Sequence, residues 1–198
     1  MPTPAVNGDA SIIHFTAGTL QPYLLELYGD PDAYQIAGLV AAIVAGAQIL
    51  GGLVAPWIRH RFKRRTSALL STAALSALTL AATGLVESFA AVLGLIVVWG
   101  LLFAASMPIR QAYLNGLIPS QQRATILSFD SMLGSSGGVV LQPVLGRSAD
   151  VWGYPGSYLL GGAFTALALP FVWLSRRQDT PADKAVEGVE TVTPEAVA

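Results

Sequence analysis

The sequence predicts an all-α, polytopic membrane protein with six transmembrane helices. Three observations carry that reading. Mean hydropathy is +0.57, with 53% hydrophobic residues against 12% charged ones, too little charge to cover a soluble domain of 198 residues. Six apolar stretches approach the ~20 residues that a helix needs to cross ~30 Å of hydrocarbon. The basic residues fall almost wholly on one side of the alternation those stretches imply.

The first span, Ser11 to Tyr28, is the shortest in apolar content and holds His14, Gln21, Pro22 and Glu26. Tyr34 to Ile58 follows the turn "GDPDA", and Ser67 to Val86 follows the basic loop "RHRFKRR". Phe89 to Leu114 comes after "ES", Thr125 to Gly146 after "NGLIPSQQRA", and Ser157 to Leu174 after "RSADVWGYPG". The third and sixth spans are free of charge. Residues 1–10 read as an N-terminal extension, 11–175 as one six-helix transmembrane unit, and 176–198 as a disordered tail: "QDTPADKAVEGVETVTPEAVA" is acidic and lacks aromatics.

Of the 11 Lys and Arg residues, only Arg147 lies on the side opposite "RHRFKRR". That asymmetry places both termini in the cytoplasm. The N-terminus has no basic residue before Arg59, so it does not read as a secretory signal peptide. A net charge of -1 gives nucleic acid no electrostatic footprint, and the absence of cysteine removes disulfides and thiolate metal sites.

The segment Gly134-Ser135-Ser136-Gly137 has the G-x-S-G form of an intramembrane serine protease nucleophile. Such a serine needs a base about 3 Å away, and the chain offers only His14, in the weak first span, and His60, in the basic loop. The chain is therefore expected not to be an enzyme, and it shows no metal or phosphate motif and implies no cofactor. Gly134 and Gly138, four apart, instead make a small-residue face for helix packing, as do Gly38, Ala42 and Gly46 on the second span.

Polar groups inside a membrane are site hypotheses by default. Trp99, Phe103, Ser106, Arg110 and Tyr113 recur at helical spacing and share one face of the fourth span. That face is either a cavity wall or an interhelical face with an Arg and Tyr anchor. His14 and Gln21 share one side of the first span and are further candidates for touching substrate. Asp130, just inside the fifth span, is a partner for Arg110 or Arg123, in a charge cluster that either switches or statically fixes two helix ends.

The stretch "RQAYLNGLIPSQQRATILSFDSMLGSSGGVVLQPVLGRSADVWGYPGSYLLGGAF", Arg110 to Phe164, resembles the C-terminal half of bacterial major facilitator superfamily (MFS) transporters. The I-P-x-x-x-R-A-T loop, the glycine-rich following helix and the G-R-x-A-D-x-x-G-Y turn carry the likeness. The loop "PWIRHRFKRR" resembles the family's G-x-x-x-D-R-x-G-R-R form, with Pro56, His60 and Lys63 in the glycine, aspartate and second glycine positions.

The resemblance implies that the spans stand for helices seven to twelve, built as two inverted three-helix repeats in a bacterial inner membrane. It implies alternating-access transport of a small solute, with the first and fourth spans at the cavity and the second and fifth facing a partner half. An exporter or a facilitator would both fit. The partner is a matching N-terminal half or a second copy of the chain. The alternative is a truncated, non-transporting scaffold or regulatory fragment that keeps the packing without the pathway.

Overall fold

The structure is a computed structural model that describes residues 19–30, 32–62, 64–177 and 183. Among these the regular structure is helical, apart from a single bridge residue at Arg64. A helix α1 covers 19–28, followed by α2 (Tyr34–Arg61), α3 (Arg65–Thr83) and α4 (Phe89–Leu117). A 3-10 turn at Ser120–Gln122 then leads into α5 (Arg123–Arg176). Four helical segments among the described residues are long and apolar enough to cross a membrane, the last of them running from Ser120 to Arg176.

The expected second, third and fourth spans correspond to α2, α3 and α4, with ends displaced by a few residues. The first is described only from residue 19, so His14 lies outside the described residues.

The fifth and sixth spans differ from expectation at their junction. Residues 147–152 stay helical, and the break is confined to Gly153, at φ 73° and ψ 174°. Glycine alone adopts that backbone without strain. Pro155 sits in the first turn of the second arm, where the amide it lacks would have no intrahelical partner. A first arm of about 45 Å and a second of about 35 Å follow from a rise of 1.5 Å per residue. Immediately after the break Ser157 Oγ donates to the Leu145 carbonyl at 2.9 Å, fastening the start of the second arm to the end of the first.

The second arm of α5 runs antiparallel to α3. Arg64 Nη1 donates to the Arg176 carbonyl at one end, Val172 packs with Ala68 and Leu69, and a Cβ built on Gly162 would lie 3.0 Å from both Ala77 O and Ala81 N. At the other end Gly84 meets the Pro155 carbonyl and Leu159. The hydroxyls of Thr72, Thr79, Thr83 and Thr165 donate back to carbonyls of their own helices, so these segments bury polar side chains without leaving donors unmet.

α2 and α4 run parallel to each other, in contact where Gly51 lies so close to the Leu101 carbonyl and Ala104 that a Cβ built on it would come within 2.9 Å of Ala104 Cβ. The main core gathers Leu20, Tyr23 and Leu24 of α1 with Val40, Val44, Leu80, Val92, Ile96, Trp99 and Tyr158. A smaller cluster, Ala68, Leu69, Ile109 and Val172, closes the end that carries Arg59, Arg61, Arg64 and Arg65. We call this the basic end.

Candidate functional site

The charge-bearing residues of α4 and α5 meet at the basic end. Arg110 Nη2 donates to both carboxylate oxygens of Asp130, at 2.9 and 2.8 Å, with side chains 14% and 24% exposed. Pro119, which lacks an amide, and the 3-10 turn end the approach from α4 and reverse the chain, so the first turns of α5 bring Asp130 level with Arg110. Arg123 is directed elsewhere: its Nη2 donates to the Asn115 carbonyl at 3.3 Å in an exposed position. Of the two basic partners open to Asp130 in the sequence, the geometry selects Arg110.

Two further contacts hold the basic end. Arg65 Nη1, from the first residue of α3, donates to the Ala112 carbonyl at 3.0 Å, two positions beyond Arg110. Tyr113 Oη and Ser175 Oγ lie 2.9 Å apart, linking α4 to the end of α5. Arg110, Ala112 and Tyr113 thus tie one turn of α4 to three different segments, the start of α5, the start of α3 and the end of α5.

The other candidates on α4 are distributed along the helix. Trp99 is 5% exposed and belongs to the main core, while Phe103, half-buried, stacks on it with ring centroids 5.9 Å apart. Ser106 is half-buried, and its hydroxyl donates to the Phe103 carbonyl at 2.8 Å. Gln21 is exposed on α1, on the side away from Tyr23 and Leu24. The structure therefore brings Trp99 and Phe103 together, and Arg110 and Asp130 together, but does not join Gln21 to either group.

The small-residue faces behave differently from one another. Gly134 and Gly138 are buried, whereas Gly38 and Ala42 are exposed, and nothing lies within 4 Å of a Cβ built on Gly38 or Gly46. The face of α2 that packs against α4 is the next one round, Ala47, Gly51 and Ala55, all buried. Its spacing of four was available in the sequence, on the same terms as the stripe at 38, 42 and 46. Among the described residues no group of His, Cys, Asp and Glu is arranged to hold a metal ion.

A charged pair held between α4 and α5 and helical segments long enough to span a bilayer fit a family comparison that covers nearly the whole chain: residues 10–197 match the Major Facilitator Superfamily model. The chain belongs to the Major Facilitator Superfamily. None of the curated proteins compared with it matches. Superfamily members are transporters of small solutes rather than enzymes, and the helices place this MFS chain in a membrane as a multi-pass protein.

Proposed function

We propose that this chain is a carboxy-terminal-type half of an MFS permease, with its basic end in the cytoplasm of a bacterial cell, that moves a small solute by alternating access, and that the Arg110–Asp130 pair is its cytoplasmic latch. The observation that carries the reading is the pair itself. It joins the end of α4 to the start of α5, it is partly shielded, and its strength depends on the distance between two helix ends. Coulomb attraction at an effective dielectric of ~20 is about 4 kcal/mol at 4 Å and falls as the charges separate. A pair of this kind can hold one state closed and still release.

The outward faces support a second bundle. Gln48 on α2 and Gln142 on α5 are exposed at membrane depth, where a polar side chain turned to lipid is costly. Around them Leu39, Leu53 and Trp57 of α2, and Phe129, Met132 and Val139 of α5, are also exposed. A partner half, or less simply a second copy, would take both glutamines out of lipid and line the other wall of a cavity. In that arrangement Gln21, His14, Phe103 and Ser106 are the side chains we assign to solute, with Trp99 backing Phe103.

The test is flux of a panel of labelled small solutes in cells making the chain together with a matching amino-terminal-type half. Asp130→Asn should reduce flux while the protein stays in the membrane, and the charge swap Arg110→Asp with Asp130→Arg should recover part of it. Normal flux from Asp130→Asn at normal expression would remove the latch from the mechanism.

A further inference from the structure

The first turn of α3 poses a problem that its own sequence does not solve. The N-cap residue is Arg64, whose side chain makes no capping bond, and the first turn contains no acidic residue. Free amides at a helix start need acceptors, and the positive end of the helix dipole favours a negative group there. The local sequence supplies the opposite charge, with Arg59, Arg61, Arg64 and Arg65 gathered around the same point.

The acceptor comes from beyond the last helix. Asp183 Oδ1 accepts the Thr66 backbone N–H at 2.7 Å, and its Oδ2 accepts the Thr66 hydroxyl at 2.8 Å. Both residues are 1% exposed. The same carboxylate acts electrostatically on the neighbouring Arg65 guanidinium. The contact joins positions 117 apart in the chain, in the stretch where the sequence predicts disorder.

We infer that Asp183 is the external cap of α3 and works as a clasp, holding the start of α3 in the position from which Arg65 grips α4. The contacts form one line: Asp183 to Thr66, Thr66 to the adjacent Arg65, and Arg65 to the Ala112 carbonyl, two residues beyond Arg110. Its far end is the Arg110–Asp130 pair; only that last link rests on the latch reading above. The carboxylate at position 183 therefore sets how firmly the end of α4 is held. Anything that removes it from Thr66, such as a competing cation or a partner that takes up the tail, loosens the basic end without touching the cavity.

Hydrogen exchange of the full chain in lipid nanodiscs, resolved by mass spectrometry, tests this without knowledge of the solute. Asp183→Ala should speed exchange in the first turn of α3 by at least tenfold and in residues 112–117 of α4 severalfold, while the interiors of both helices keep wild-type protection. Asp183→Asn, which keeps an acceptor and loses the charge, should lie between. An unchanged first turn of α3 would overturn the clasp, and faster exchange confined to α3 would overturn its connection to α4. Loss of protection throughout both helices would make Asp183 a general determinant of folding and also count against the clasp. If the clasp and its link to α4 are seen while Asp130→Asn transports normally, the latch fails and the clasp stands.

Discussion

Arg110 reaches both oxygens of Asp130 through a single nitrogen, Nη2, at 2.9 and 2.8 Å. This is not the two-nitrogen fork that gives Arg–carboxylate pairs their greatest geometric rigidity. A pair bridged through one nitrogen can pivot, so it can tolerate some displacement of α5 against α4 before it breaks.

Truncating one member should cost more than removing both. Arg110→Leu leaves Asp130 with no cation within the pair, and because its side chain is still 24% exposed the loss should be about 1–2 kcal/mol, below the 3–5 kcal/mol of a fully buried pair. The double change Arg110→Leu with Asp130→Leu should recover most of it. The midpoint of unfolding in a mixed detergent titration, compared across the three proteins, measures this.

Two glycines of α2, Gly46 and Gly51, five residues apart and on different faces of the helix, should respond oppositely to enlargement. Gly51→Val pushes a side chain onto the Leu101 carbonyl and Ala104, and overpacking of this kind costs about 1–3 kcal/mol. Gly46→Val meets open space and should leave the stability of the isolated chain nearly unchanged, while weakening any association across that face. Unfolding midpoints and oligomeric state of the two variants separate these effects.

Gly153→Ala should destabilise the chain by about 1–2 kcal/mol, since a residue with a Cβ resists φ near +73°. The failure should be specific: α5 straightens and the Ser157–Leu145 bond is lost. The yield of an oxidative crosslink between cysteines placed at Leu145 and Ser157, which meet across the break, should therefore fall in Gly153→Ala against the Gly153 background.

The orientation can be read with single cysteines, since the chain has none of its own. Asp32, Glu87 and Asp150 are exposed at the end opposite the basic one, and cysteines there should react with an impermeant thiol reagent outside intact cells. Cysteines at the exposed Gly116 or Gln121 should react only after permeabilisation. Thr66 and Ser148 sit in the corresponding loop regions but are buried, and would stay silent on either side.

Helix existence was legible because hydrophobic length at this scale has few other meanings, and α2, α3 and α4 follow the apolar stretches closely. The junction at Gly153 was not. Turn-forming residues run from Arg147 to Gly156, and nothing in that composition says that one left-handed residue suffices to reverse the chain. The Arg110–Asp130 pairing was half legible: charge type and helical depth brought Arg110 and Arg123 forward together, and only the orientation of the reversal after Leu117 separates them. Packing glycines were harder, because Gly38 and Gly51 look alike until the neighbouring helix is in place. The cap on Thr66 was out of reach of local reasoning, since its acceptor is 117 positions away.

If the Arg110–Asp130 pair is the latch proposed above, the basic end opens and closes through it. Spin labels at the exposed Gln111 and Ser128, in the chain assembled with its partner half in a lipid bilayer, measure the separation of the two helix ends directly by pulsed electron resonance. Two distances should be populated in the wild-type protein, and Asp130→Asn should move the ratio toward the longer one by about tenfold for each ~1.4 kcal/mol that the pair contributes to the closed state. A single distance, unchanged by Asp130→Asn, would contradict the account.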